Sequence, residues 1–276
     1  MQYSFFINLT HAGSLVFGSL ILLWAISFKF KDASLIDIFW GFGFLLVAVA
    51  CLVMSQNKTL YTTILTALPI LWGIRLTLYL AKRNIGHGED KRYIAMRKRA
   101  ERKGLSENNW RLRTLFTIFF GQGLLIMIIS APILFASAHA SNTPDITIGP
   151  LVYIGVIIWI IGFLFEAIGD AQLSTFMKKN SNFKGKEADK PVLNLGLWKY
   201  TRHPNYFGNA CIWWGIWLVA CNSNFGWTTI LSPLLMTLLL TRISGRDLLE
   251  RQMKQRSAYA SYIEKTNSFI PWFPKK

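Results

Sequence analysis

Charge is scarce in this chain. Charged residues make up 16% of its 276 positions, where a soluble domain carries about 25%. Acids are scarcer still, with 14 Asp and Glu against 30 Lys and Arg. These numbers argue against a water-soluble globule. Cysteine is nearly missing as well: Cys51, Cys211 and Cys221 each sit in an apolar stretch without paired spacing. That excludes a disulfide framework and a metal site, and leaves them as small packing residues. No Gly-x-Gly-x-x-Gly follows a strand, so a Rossmann-type nucleotide site is excluded. Gly86-His87-Gly88 is no substitute, because it lies in a basic loop with no strand before it. There is no internal repeat, low-complexity tract or dividing linker, so residues 1–276 read as a single membrane domain.

What is abundant is apolar sequence, 52% of the chain. Runs of about 20 such residues span a bilayer as helices. Seven are expected, near 12–28, 35–54, 60–81, 114–138, 149–169, 206–222 and 226–243, giving an all-α polytopic bundle. Loop 82–113 has eleven Lys or Arg against four acids, segment 170–204 seven against three, and the tail 242–276 eight against three. The Lys29/Lys31 turn falls on the same side, and only Lys58, Asp145 and His11 fall on the other. Basic loops stay cytoplasmic, so the expected N-terminus is outside and the C-terminus cytoplasmic. Topology thus accounts for most of the +16 net charge. Nucleic acid is not an expected partner, because no reading element accompanies the basic loops. Anionic headgroups or a phosphorylated cofactor are compatible with them. The first apolar run lacks a charged n-region and a cleavage site, and is expected to be a retained helix.

Four ionisable residues fall within or at the edges of spans: Asp37, Arg75, Glu166 and Asp170. Charge at membrane depth costs about 2.5–3.5 kcal/mol on insertion scales and marks functional candidates. Trp72, Arg75 and Tyr79 recur at helical spacing and share a face. For Asp37 and Arg75 the structural alternative is an interhelical salt bridge, or snorkelling of Arg75. Glu166 and Asp170, at i and i+4, repel. They need a compensating partner, either Lys178 or Lys179 downstream or the hydroxyls of a ligand such as a ribose.

The densest polar cluster is Gly196-Leu-Trp-Lys-Tyr200-Thr-Arg202-His203-Pro204-Asn205-Tyr206-Phe-Gly208, which leads into an apolar segment. Polar groups losing water at a membrane boundary need partners. Interfacial anchoring explains the aromatics but not Arg202, His203 and Asn205. This signature, with Glu250, Tyr259, Tyr262 and the Phe269-Ile-Pro-Trp-Phe-Pro274 ending, resembles a particular membrane superfamily. It unites steroid 5α-reductases, sterol C14 and C24 reductases and isoprenylcysteine carboxyl methyltransferases. Within it the chain looks most like the bacterial DUF1295 group. The resemblance there rests on Asp37-x-x-Trp40-Gly41-x-Gly43-Phe44, Trp72-Gly-x-Arg75-Leu, Arg83-Asn-x-Gly-x-Gly-Glu89-Asp90-x-Arg92-Tyr93 and Glu166-x-x-x-Asp170-x-Gln172.

The resemblance implies substrate-side helices over about 1–140 and a cofactor-binding half over about 149–276. It implies an integral protein of the bacterial inner membrane that uses NADPH to reduce a C=C bond conjugated to a carbonyl in a hydrophobic, steroid-like or other lipid. Glu166, Asp170, Lys178, Tyr200, Arg202, His203, Asn205, Tyr206 and Arg246 are the implied cofactor contacts. Arg202 and Arg246 suit phosphate, because the planar guanidinium meets its oxygens in two places. Asn205 suits the carboxamide, and Tyr200 and Tyr206 would flank the cofactor rings. Asp37, Trp72 and Tyr79 are the implied catalytic positions, with a desolvated, protonated Asp37 as donor to the carbonyl oxygen. The alternatives are a methyltransferase using S-adenosylmethionine beneath a similar Arg-His-Pro turn, and a non-catalytic lipid-binding membrane protein. Asn205 in an Asn-Tyr-x-Gly sequence, the Glu166/Asp170 pair and the long N-terminal half favour NADPH. Oligomeric state is not readable.

Overall fold

The computed structural model describes residues 2–243, 245–254 and 256–275. Among them every regular element is helical. Six helical stretches are long and apolar enough to cross a membrane: Ser4–Phe30, Leu35–Met54, Leu60–Asn84, Glu107–Ile129, Pro150–Lys179 and Gly226–Arg251. The chain is an integral membrane protein. The stretch expected at 206–222 forms a helix of 17 residues, about 25 Å at 1.5 Å per residue, just below that length.

The chain divides into two compact units, Met1–Gly149 with Ala220–Thr229, and Pro150–Val219 with Ile230–Lys276. In the first, α1 (Gln2–Phe30), α2 (Leu35–Met54) and α3 (Leu60–Asn84) are followed by α4 (Lys91–Arg102) and α5 (Glu107–Thr114). A π-helical turn, Leu115–Phe120, joins α5 to α6 (Gly121–Ile129), and α7 (Ala131–Ser141) follows. The single span expected at 114–138 is therefore broken at Ser130. Pro132 at the start of α7 explains the break, since its ring removes an N–H and clashes with the carbonyl four residues back. Short polar side chains cap the starts of α3, α4 and α5. Thr59, Asp90 and Ser106 each accept a backbone N–H of the helix that follows them.

Close approach of α2 and α3 is fixed by two glycines. A Cβ at Gly41 would stand 2.9 Å from the Gly73 carbonyl, and one at Gly73 would stand 2.6 Å from that of Gly41. Within lipid, such backbone-to-backbone packing replaces the hydrophobic drive that water provides to soluble helices. Around this crossing Phe44, Val47, Tyr61, Leu65 and Trp72 are fully buried.

The second unit contains α8 (Pro150–Lys179), a 3₁₀ turn (Gly196–Lys199), α9 (Pro204–Ala220), α10 (Leu231–Leu238), α11 (Arg246–Met253) and α12 (Ser257–Lys265). Gly155, Gly162 and Gly169 recur every seven residues along α8, which keeps them on one face. Cβ atoms placed there would stand 2.6 Å from the Gly215 carbonyl, 2.5 Å from the Gly208 carbonyl and 3.2 Å from the Asn205 nitrogen. The two helices therefore run antiparallel in backbone contact. Pro204 opens α9 where a missing N–H costs nothing.

Candidate functional site

The glycine seam brings two matched pairs together. Glu166 and Asp170, one helical turn apart on α8, are each only 3% exposed. One turn separates Asn205 and Asn209 on α9 in the same way. Asn205 Nδ2 donates to Asp170 Oδ1 at 3.0 Å, and Asn209 Nδ2 donates to Glu166 Oε1 at 3.4 Å. The carboxylates are thus met by amides of the facing helix, not by the downstream Lys178, whose side chain is exposed at the end of α8. Asn209 was not among the expected contacts. Its signal in the sequence is the i, i+4 repeat of Asn205, which mirrors that of the carboxylates.

Arg202 lies just outside α9 and is 9% exposed. Its Nε and Nη2 donate to Glu250 Oε1 and Oε2 at 2.9 and 3.3 Å. Its Nη1 donates to the carbonyls of Ile263 at 3.1 Å and Thr266 at 2.6 Å. The guanidinium fork expected for a phosphate is therefore engaged in pinning α11 and the end of α12 to the signature turn. A two-pronged grip on an anion would require breaking the Glu250 pair. The C-terminal segment reinforces this clasp. Arg202 N donates to Asn267 O at 2.9 Å, Thr201 Oγ1 to Phe269 O at 2.8 Å, and Trp272 N to Tyr200 O at 3.0 Å. Trp198 Nε1 reaches the Gly169 carbonyl at 3.1 Å, while the Tyr262 hydroxyl donates to the Trp198 carbonyl. Gln172 accepts from Leu197 N at 3.0 Å. The tail pattern seen in the sequence is thus a strap holding the turn in place.

His203 is 2% exposed and its Nε2 lies 3.0 Å from Glu250 Oε1. Burial pushes the imidazole below its ordinary pKa and outweighs the opposing pull of Glu250. A neutral ring that donates to a carboxylate through Nε2 presents Nδ1 as a bare acceptor. Nδ1 is buried without a partner, and so is Asn209 Oδ1, among the described residues. Buried acceptors rarely stay unpaired, and both atoms suit hydroxyl or amide donors of a ligand, Asn209 beside Glu166 and His203 at the foot of the same helix. Tyr206 stacks on His203 with ring centres 5.3 Å apart. Arg246 donates through Nε to Asp247 Oδ1 at 2.8 Å. Tyr200 meets Phe273 edge-on at 6.2 Å. It borders an apolar groove of about 320 Å³ with Phe165, Leu197, Pro271 and Trp272.

In the first unit Asp37 is an acceptor. Arg92 Nη2 reaches its Oδ2 at 2.6 Å, and the Tyr93 hydroxyl donates to its Oδ1 at 2.7 Å. Asp90 Oδ1 holds Arg92 from the other side at 3.0 Å, and Gln122 Nε2 lies 3.5 Å from the Tyr93 oxygen. Burial, and then the Asp37 carboxylate, push the Tyr93 phenol well up, so it remains protonated. Asp37 thus receives a donor on each carboxyl oxygen, Tyr93 on Oδ1 and Arg92 on Oδ2. Arg92 and Tyr93 were visible in the sequence as part of a loop motif, but nothing in their spacing connects them to a residue 55 positions earlier. Trp72 is buried against Phe44, with ring centres 5.5 Å apart, and packs in the core. Tyr79 lies between the guanidinium groups of Arg75 and Arg83, at 5.4 and 5.7 Å from the ring centre. Sharing of a face by Arg75 and Tyr79 is as the helical spacing required.

Residues 23–266 match the model of a family described as protein of unknown function (DUF1295). No curated protein and no solved structure matches the chain. The match spans most of the sequence, and the chain belongs to the DUF1295 family.

Proposed function

From that membership and the geometry of the second unit, we propose that the protein is a membrane-embedded, NADPH-dependent reductase. Its substrate is a lipid with a C=C bond conjugated to a carbonyl. The observation that carries the reading is the set of buried Glu166, Asp170, Asn209 and His203 with half-buried Asn205. It offers carboxylates for ribose hydroxyls, an amide for the carboxamide, and two unpaired acceptor atoms for their remaining donors. That donor and acceptor set fits a dinucleotide. Arg246 and Lys178 are the cations assigned to its phosphates, with Tyr200, Tyr206 and the Arg202–Glu250 clasp shaping the turn around it. NADPH bound there supplies a hydride.

The chain's own part is to orient and to exclude water. Asn205, fixed by Asp170, would pair with the carboxamide, and neutral His203 would accept from a hydroxyl through Nδ1. The net change in the lipid is hydride addition at the β-carbon and proton addition at the α-carbon. Negative charge grows on the carbonyl oxygen as hydride adds, and a hydrogen-bond donor to that oxygen has an oxyanion-type role. The shared Arg-His-Pro turn leaves S-adenosylmethionine as the competing cofactor, and a ligand test separates the two. A ligand that binds only the native state raises apparent thermal stability. NADPH is expected to stabilise the detergent-solubilised protein, and a lipid extract incubated with it should yield a product heavier by two hydrogens. Stabilisation by S-adenosylmethionine and not by NADPH would sink the proposal.

A further inference from the structure

A second cavity, of about 280 Å³, lies in the first unit where α1 turns into α2. It is lined by Lys31, Arg97 and Arg111, and by Asp32, Glu101 and Glu107, over a floor that includes Phe28 and Trp110. Its place in the bundle is informative. Phe30 ends one membrane-length helix, Leu35 begins the next, and Glu107 begins a third. The cavity therefore lies beside the ends of three apolar helices, the level at which headgroups meet a bilayer-spanning helix.

The charges are balanced, and most are already engaged. Arg97 donates to Glu89 at 2.8 Å, Arg111 pairs with Glu107 and lies 5.1 Å over the Phe28 ring, and Asp32 accepts from Ser34. The Lys31 ammonium and the Glu101 carboxylate have no side-chain partner among the described residues. One free cation and one free anion in a neutral cavity do not suit a purely anionic ligand, which would meet the carboxylates, nor a simple cation. They suit a molecule carrying both signs. Backbone conformation singles out Lys31 further: its φ is 51°, in the left-handed region that a residue with a Cβ occupies at a cost. Strain of this sort concentrates at ligand sites. Here it also places the Lys31 carbonyl 3.4 Å from Arg97 Nη2.

We propose that this cavity binds a zwitterionic phospholipid headgroup, with its phosphate at Lys31 and its primary ammonium at Glu101. The site is independent of the reductase reading. Native mass spectrometry of the delipidated full chain, titrated with phosphatidylethanolamine or phosphatidylglycerol, tests it. Wild type should retain phosphatidylethanolamine at least fivefold better than phosphatidylglycerol. Lys31→Gly removes the charge and relieves the backbone, so it should fold as well as wild type in detergent yet lose that retention. Glu101→Gln should abolish the preference between the two lipids while leaving phosphatidylglycerol binding unchanged. Soluble glycerophosphoethanolamine should displace the lipid, and inorganic phosphate at equal concentration should not. Equal retention by wild type and Lys31→Gly, a preference unchanged in Glu101→Gln, or displacement by phosphate as effective as by glycerophosphoethanolamine would each overturn the assignment.

Discussion

Replacing Gly162 by Ala tests whether the glycine seam builds the candidate nucleotide site. The new Cβ would stand 2.5 Å from the Gly208 carbonyl and 2.8 Å from the Cys211 Cβ, where ordinary contact begins at 3.4 Å. Backbone cannot rotate away as a flexible side chain can, so α8 and α9 must separate by about 0.9 Å. Such overpacking costs about 1–3 kcal/mol, offset by about 1 kcal/mol of helix propensity gained over glycine. The net loss of stability is therefore small, about 0–2 kcal/mol. The site fares worse. The Asn209–Glu166 bond, already 3.4 Å, moves out of hydrogen-bond range, and the 3.0 Å Asn205–Asp170 bond stretches to its limit. Bonds to charged groups are worth about 1.5–3 kcal/mol each, so nucleotide affinity should fall at least about tenfold, or 1.4 kcal/mol. The assay is thermal unfolding of the solubilised protein across an NADPH titration. Gly18→Ala is the control, since a Cβ there meets nothing within 4 Å, and it should leave both stability and affinity intact. Wild-type affinity in Gly162→Ala, or an equal loss in Gly18→Ala, would refute the reasoning.

Three further outcomes follow from the same geometry. Asn205→Ala removes the amide donor to Asp170 and should weaken NADPH binding about tenfold in the same titration, besides lowering the unliganded melting temperature by the loss of one hydrogen bond to a buried carboxylate. Arg202→Met strips the half-buried Glu250 of its cation and frees two carbonyls, and should destabilise the chain by about 1.5–3 kcal/mol, read as a lowered melting temperature without ligand. The His203 pKa is depressed in the folded state, so below the ordinary value of about 6.5 the unfolded chain binds more protons. Its contribution is therefore full above that pH and is lost as pH falls through the folded pKa. A melting temperature that drops between pH 7 and 5 in wild type should drop less in His203→Gln; parallel curves would remove His203 as the source.

The sequence by itself determined the class of protein and the region of interest. Apolar runs of bilayer length, bounded by basic loops, left no fold open but a helical bundle in lipid, because only helices satisfy every backbone group along such a run. Local rules also placed Pro204 at a helix start and Arg75 and Tyr79 on one face, since both depend on residues within a turn or two. The Arg202–Gly208 cluster was conspicuous because its composition is costly at a membrane boundary. What its residues hold was not legible. Arg202 meets Glu250 and the Thr266 carbonyl, and Asp37 meets Arg92 and Tyr93, across separations that no local periodicity encodes. The break at Ser130 was missed because hydropathy sums apolar residues without weighing what one proline does to the helix before it. Only the tertiary structure decided which polar atoms are consumed and which remain open. That decision rests on the seven-residue glycine spacing of α8, which lets two backbones touch and aligns Glu166 and Asp170 with Asn209 and Asn205.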